Sequence, residues 1–327
     1  MKIKLIYKGD KQMIKKLKVL LLAGALALGM GCAKNESTST EKENYKISLI
    51  LDEGGVNDQS FNQASWEGAL ASKEKYGVEV NYIESESEGD YVPNIETAID
   101  NDADLIIGVG YKLTEAIEEA SSLYPNQKFA IVDGAFETVP SNVVNMSFNE
   151  EQAGYTVGLI ASQMTEGKVA FIGGYDIPSV SNFYKGYEKA IKEVNPNIEV
   201  LCQYANSFTD AAKGKAMAQQ LIKDGYDIIF TAGGGVNNGV WEACVENNKK
   251  AIGVDIASSK FSSSVITSAL KNVGTGVDLT IKDLVEGAFK GGEVKMFDLT
   301  NNGVGYELTD HLPQDVIDFV EGKIKSN

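Results

Sequence analysis

The sequence predicts an α/β protein of two lobes, each a mostly parallel sheet flanked by helices. Three observations carry this reading. From Tyr45 onward, short apolar runs alternate with helix-like runs. The short runs are apolar on both faces, as strands of a parallel sheet covered by helices must be. The whole order of elements then occurs a second time, at an offset of 120–123 residues.

In chain order, "KISLIL" (46–51), "VEVNYI" (78–83), "DLIIGVG" (104–110), "KFAIVDG" (128–134) and "VVNMSF" (143–148) read as strands, with helices over 61–76, 91–101 and 112–123. The second half echoes the first. "KVAFIGGYDIPSVSNFYKGYEKAI" (168–191) follows "KISLILDEGGVNDQSFNQASWEGAL" (46–70), "IEV" (198–200) follows "VEV" (78–80), "DIIFTAGG" (227–234) follows "DLIIGVG", and "KAIGVD" (250–255) follows "KFAIVDG". A register held across five elements is a duplicated lobe, not a short solenoid repeat. In open parallel sheets, ligands bind beyond the carboxyl ends of the strands. The loops 52–60 and 174–181 therefore face a cleft, and Asp133 and Asp255, ending equivalent strands, approach it from opposite sides. The expected partition is 45–148 with 257–290 in the first lobe and 149–256 with 291–327 in the second, the chain crossing near 148, 256 and 291.

Ahead of the lobes, "MIKKLKVLLLAGALALGMGC" (Met13–Cys32) has a lysine cluster, an apolar run and small residues before a cysteine. That is a secretory signal over residues 1–31, with Met13 as an alternative start and Cys32 as the lipid-bearing (palmitate) residue. The run falls short of the roughly 20 apolar residues that span a bilayer. Residues 32–44 then form a polar tether on a chain anchored to the cell membrane and facing its extracytoplasmic side. Gly29 stands three places before Cys32, where a larger aliphatic residue is usual.

Composition narrows the chemistry. The chain carries a formal net charge of −16; without residues 1–31 it keeps 23 lysines against 45 acids, a net of −22. It has no arginine, hence no guanidinium fork for phosphate or carboxylate. An acidic field repels nucleic acid and phosphorylated metabolites and suits a neutral or cationic ligand. His311 is the single histidine, so a histidine-based triad or a multi-histidine metal site is excluded. Cys202 and Cys244 read as small buried residues, with a disulfide between them left open. No cofactor motif is present: "TAGGGVNNG" (231–239) lacks the G-x-G-x-x-G spacing, and no GxxxxGK[ST] occurs.

Several residues qualify as ligand contacts, each with a plainer alternative. Asp52, Asn57 and Asp58 are ligand donors or acceptors, or caps for the turn and the helix that follow. Phe61, at that helix start, offers a flat face to a ring or packs in the core. Phe208 occupies a similar place before a helix of the second lobe, so that the two rings can sandwich a planar heterocycle. Asp133 can accept from a ring N–H. Backbone N–H groups around Gly234 can donate to a hydroxyl. Asp255 and Lys271 together can hold vicinal hydroxyls, or Lys271 is a solvated lysine at a helix start. A hydrolase built on Asp52, Asp58, Asp133 and Asp255 is conceivable, but no nucleophile arrangement accompanies it.

"DEGGVNDQSFNQASWEGAL", "AIVDG", "FIGGYDIPSVSNFYKGY", "NSFTDAAKGK", "TAGGG", "IGVD" and "TSALKNV" occur in that order. Together they resemble the basic membrane protein family of bacterial lipoproteins, of the purine nucleoside receptor type, over residues 45–325. The resemblance implies a type I periplasmic-binding-protein fold and a monomeric, non-enzymatic lipoprotein that delivers inosine, guanosine or adenosine to an ABC permease. It further implies that Asp52, Asn57 and Asp58 line the cleft, that Phe61 and Phe208 stack on the base, that Asp133 binds its edge, and that Gly234, Asp255 and Lys271 hold the ribose. The sequence departs from the family pattern at Ile256-Ala257-Ser258, at Gly274 and at Val236. A binding protein for a sugar or another small metabolite, or a surface lipoprotein acting in host adhesion or immune stimulation, are the competing readings.

Overall fold

The computed structural model describes residues 44–165 and 167–326. The signal segment, Cys32 and the tether lie outside the described residues. The chain runs β1 (Lys46–Leu51), α1 (Phe61–Tyr76), β2 (Glu79–Glu84), α2 (Tyr91–Asp100), β3 (Leu105–Val109), α3 (Thr114–Leu123), β4 (Lys128–Val132), β5 (Val143–Phe148) and α4 (Glu150–Met164). It continues with β6 (Lys168–Gly173), α5 (Pro178–Val194), β7 (Glu199–Tyr204), α6 (Ala211–Lys223), β8 (Tyr226–Ala232), α7 (Val236–Glu246), β9 (Lys250–Asp255) and β10 (Val265–Lys271). Last come α8 (Val273–Val285), β11 (Glu293–Phe297), β12 (Val304–Tyr306) and α9 (Gln314–Ser326).

Two six-stranded sheets result, ordered β11-β5-β4-β3-β1-β2 and β12-β10-β9-β8-β6-β7. Every pairing is parallel except β10 with β12. In each sheet the strand order reverses beside the first strand of the lobe, β1 or β6, the place where doubly wound sheets open a crevice for ligand. All five residues of β3 are buried, as are the last five of β1, because helices cover both faces. At the sheet edge, β2 is largely exposed or half-buried.

The expected partition is corrected at two of the three crossings. β10 pairs with β9, so residues 265–271 stay in the second sheet; β11 pairs with β5, so residues 293–297 return to the first. The chain crosses after Phe148, after Lys271 and after Phe297, not near 256 and 291. A buried parallel strand reads alike in either sheet, which is why local pattern misassigned it. Gly274 shows why α8 belongs to the first lobe. A Cβ on Gly68 of α1 would stand 2.3 Å from the Gly274 carbonyl oxygen, and one on Gly274 would stand 2.8 Å from the Ala64 carbonyl oxygen, so the helices touch backbone to backbone and an acid at 274 would force them apart. The crossings lie side by side. Phe148 and Phe297 stack at 4.9 Å between centroids, the Asn149 N–H donates to Phe297 O at 2.8 Å, and the Asn272 N–H donates to Gly303 O at 2.9 Å.

Cys202 is half-buried, Cys244 is buried, and both are free thiols. His311 is exposed ahead of α9. Among the described residues no helix is long and apolar enough to cross a membrane.

Candidate binding cleft

The first loop is built by its own acids. Asp52 follows β1 and accepts from the Gly54 N–H at 3.0 Å and from Asn62 Nδ2 at 2.7 Å. Asp58 accepts from three backbone N–H groups at the start of α1: Ser60 at 2.9 Å, Asn62 at 2.9 Å and Gln63 at 3.1 Å. These are donors that a helix start leaves without intrahelical partners, so Asp58 is the functional cap and both its oxygens are committed. Asn57, one residue earlier, is exposed and outside the cavity. Of two neighbouring cap-type residues, the backbone turned one in and the other out. The capping sets Phe61 on the cavity wall.

The cavity encloses about 610 Å³, its open mouth included, and both lobes line it. Eight of the nine expected contacts line it: Asp52, Asp58, Phe61, Asp133, Phe208, Gly234, Asp255 and Lys271. The ninth, Asn57, does not. Around the rings the wall is apolar, with Ile177, Val180 and Phe183 beside Phe208 and Phe61. Phe208 is seated by glycine. A Cβ at Gly174 would lie 2.2 Å from its Cε1 atom, and Gly234 takes φ +57° with its Cβ position 2.9 Å from the Phe208 carbonyl oxygen. In the glycine-rich loop, the N–H groups of Gly233, Gly235, Val236 and Asn237 are used within the second lobe. The N–H of Gly234 has no partner among the described residues.

Asp133 directly follows β4 and Asp255 ends β9, and both adopt the left-handed conformation, φ 60° and 63°. Each makes a bond across the cleft. Asp133, of the first lobe, accepts from Lys271 Nζ at 2.5 Å; Asp255, of the second, accepts from Ser60 Oγ at 2.5 Å. Among the described residues Lys271 makes no direct hydrogen bond to Asp255, which acts on its charge from nearby. In the β9–β10 register Asp255 stands opposite Leu270, and side-chain alternation turns Lys271 to the other side, where Asp133 and Glu150 meet it. Glu150, the first residue of α4, accepts from Lys271 Nζ at 2.8 Å. The Phe148 and Phe61 rings lie 5.2 and 5.4 Å from that ammonium. At the mouth, Lys112, paired with Glu53 and Glu88, lies over the Tyr175 ring of the other lobe, and Tyr175 packs edge-on against Phe208.

The buried titratable groups around the cavity are mostly carboxyls. Burial raises the Asp58 carboxyl to about 7 against the pull of its three backbone N–H donors. Burial likewise raises Asp133 to about 7; Lys271 pulls it down, and Glu150 and Asp255 push it up. Asp52 and Asp255 are also raised, burial again being the largest cause. Burial alone would lower Lys271, but Asp133, Glu150 and Asp255 together raise it, so it is a firm cation. One ammonium among these carboxylates favours a ligand rich in N–H and O–H donors.

Sequence reasoning missed Ser60, Asn62 and Glu150. Asn62 lines the cavity, and its Oδ1 is buried without a partner among the described residues. Its position four residues after Asp58 on a helix start was the available signal. No comparable signal marked Glu150, which looks like any acid in a helix's first turn. Among the described residues no cluster could hold a metal ion.

Comparisons with known proteins agree with this architecture. The profile of a family described as ABC transporter substrate-binding protein PnrA-like matches residues 45–326. The chain is 35% identical over 330 residues to the CD4+ T-cell-stimulating antigen of Listeria innocua, covering 92% of each chain. It is 33% identical over 333 residues to the ABC transporter nucleoside-binding protein BmpA of Lactococcus lactis subsp. cremoris, covering 92% of this chain and 95% of that one. A solute-binding protein of an ABC transporter system from Aeropyrum pernix superposes with a TM-score of 0.75 at 27% identity over 86% of each chain. A sugar transporter structure from Clostridium phytofermentans, at 17% identity and a TM-score of 0.61, shares the fold alone. The chain, with its type I periplasmic-binding-protein fold, belongs to the PnrA-like family of ABC transporter substrate-binding proteins.

Proposed function

We propose that this protein binds purine nucleosides between its lobes and, anchored by a lipid at Cys32 on the outer face of the cell membrane, passes them to an ABC permease. The observation that carries the reading is the joint lining of one cavity by Phe61 and Phe208, one from each lobe, with buried carboxylates at either side. The rings supply faces for a planar base; offset stacking adds about 0.5–1.5 kcal/mol per pair beyond area burial. Asp133 keeps one oxygen, and Lys271 one N–H, beyond their mutual bond and the bond to Glu150. An acceptor beside a donor suits a purine edge, where a ring nitrogen and its exocyclic neighbour present the complementary pair. Asp255, steadied by Ser60, and the N–H of Gly234 suit the ribose hydroxyls. Lys271 thus serves the Asp133 end of the cavity. The BmpA relative, named as nucleoside-binding, supports the same ligand class. The reading is of binding without chemistry: the Asp58 oxygens are tied to backbone and the Lys271 ammonium to two carboxylates.

Mass spectrometry of small molecules released by denaturing the purified protein tests it. A purine nucleoside is the expected species; release of a sugar alone would favour the competing reading. The Listeria relative's name reports an antigenic role for that protein. An exposed lipoprotein can serve transport and be recognised by immunity together.

A further inference from the structure

We propose that Glu150 is the standing counter-ion of Lys271, a positioning residue that holds the ammonium at the cavity in every disposition of the lobes, while Asp133 joins it only on closure. The argument is one of lobe membership. Lys271 ends β10, a strand of the second sheet, and Glu150 opens α4, which packs against β10, β12 and α5. Asp133 directly follows β4 of the first sheet. Two-lobed binding proteins close around ligand by hinge motion. When the lobes part, Asp133 leaves with its own sheet, and Glu150 stays with Lys271.

The ammonium needs such a partner. Lys271 is 2% exposed and Glu150 is 3% exposed. A buried charge without a counter-ion is strongly unfavourable. Glu150 is not among the cavity-lining residues, so it acts on Lys271 from behind and leaves the front of the ammonium to Asp133 and the ligand. As the first residue of a helix it also sits where backbone N–H groups favour an anion. The titratable groups facing this cluster are Asp133 from β4, Glu150 from α4 and Asp255 from β9, with Phe148 and Phe61 excluding water at the sides.

A double-mutant cycle tests the proposal in urea unfolding of the protein without added nucleoside. Glu150→Gln is expected to destabilise the native background but to stabilise the Lys271→Met background, where it removes a buried carboxylate left without its cation. A change of the same sign and size in both backgrounds overturns the proposal. Should Glu150→Gln fail to fold alone, folding of the double variant supports it, and failure of both overturns it.

The second arm rests on the nucleoside reading. Glu150→Gln is expected to weaken inosine binding roughly tenfold. It should also move the acid limb of binding to lower pH, since Asp133 gives up its proton more readily without a neighbouring negative charge. Unchanged affinity and an unmoved limb overturn the positioning role. If the native protein binds no nucleoside, that reading fails by itself and the unfolding cycle still decides.

Discussion

Lys271→Met is the most informative single perturbation. The side chain is nearly isosteric and apolar, so the cavity keeps its shape and loses one charge. Lys271 Nζ bonds Asp133 at 2.5 Å and Glu150 at 2.8 Å, and both carboxylates are buried. Removing the cation leaves them facing each other unpaired. Breaking a buried pair from one side costs about 3–5 kcal/mol, a large share of a total stability of about 5–15 kcal/mol. The deficit carries a pH signature. Asp133 already has a raised folded pKa of about 7, and losing Lys271, which lowers it, raises it further. A carboxyl whose folded pKa is raised contributes stability at low pH that is lost as pH rises through the folded value. The variant's deficit relative to the native protein should therefore shrink on going from about pH 8 to about pH 5, by up to about 1.4 kcal/mol per unit for each extra proton held. Urea unfolding across that range measures it. A deficit independent of pH, or none at all, would refute the assignment of Lys271 as the cation of this cluster.

Other outcomes follow from the same geometry. Phe61→Ala should cost about 1–2 kcal/mol of nucleoside affinity, from lost stacking and a lost ring beside Lys271, and calorimetry should find little change for a small sugar if one binds. Gly174→Ala sets a Cβ 2.2 Å from the present Phe208 ring position, so the ring must turn; affinity should fall while thermal stability changes little. Asp58→Ala removes three caps at the start of α1 and should cost about 1–2 kcal/mol of stability, with weaker binding because Phe61 loses its support. Asp58 and Asp133 both have folded values raised to about 7, so the ligand-free protein should gain stability from these groups as pH falls from that value toward the unfolded carboxyl range. Inosine affinity, which draws on the ionised Asp133, should fall over the same interval. Parallel loss of both on acidification would contradict the assignment.

Much of this was legible in the sequence because it is local or repeated. α1 is found over the residues its pattern predicts, and the duplicated order of strands gives two sheets with equivalent crevices. Asp133 and Asp255 could be matched as strand ends by the repeat alone, and the structure adds that both sit in the left-handed region. What escaped is non-local. Whether "VITSALK" joins one sheet or the other depends on which edge is vacant, not on its own residues, so two crossings were misplaced. The partner of Lys271 depends on strand register and on a helix that begins 121 residues earlier, at Glu150. The roles of Asp52 and Asp58 were undecided between ligand and turn. Their hydrogen bonds give Asp58 wholly to the turn, and Asp52 by at least one oxygen.

The central claim is that a purine nucleoside fills the cavity between Phe61 and Phe208. Titration calorimetry of the ligand-free protein with inosine, guanosine and adenosine tests it most directly. The account predicts saturable one-site heat with at least one of them, strongly reduced in Phe61→Ala. Absence of heat with all three, while a sugar or an amino acid binds the same protein, would contradict it.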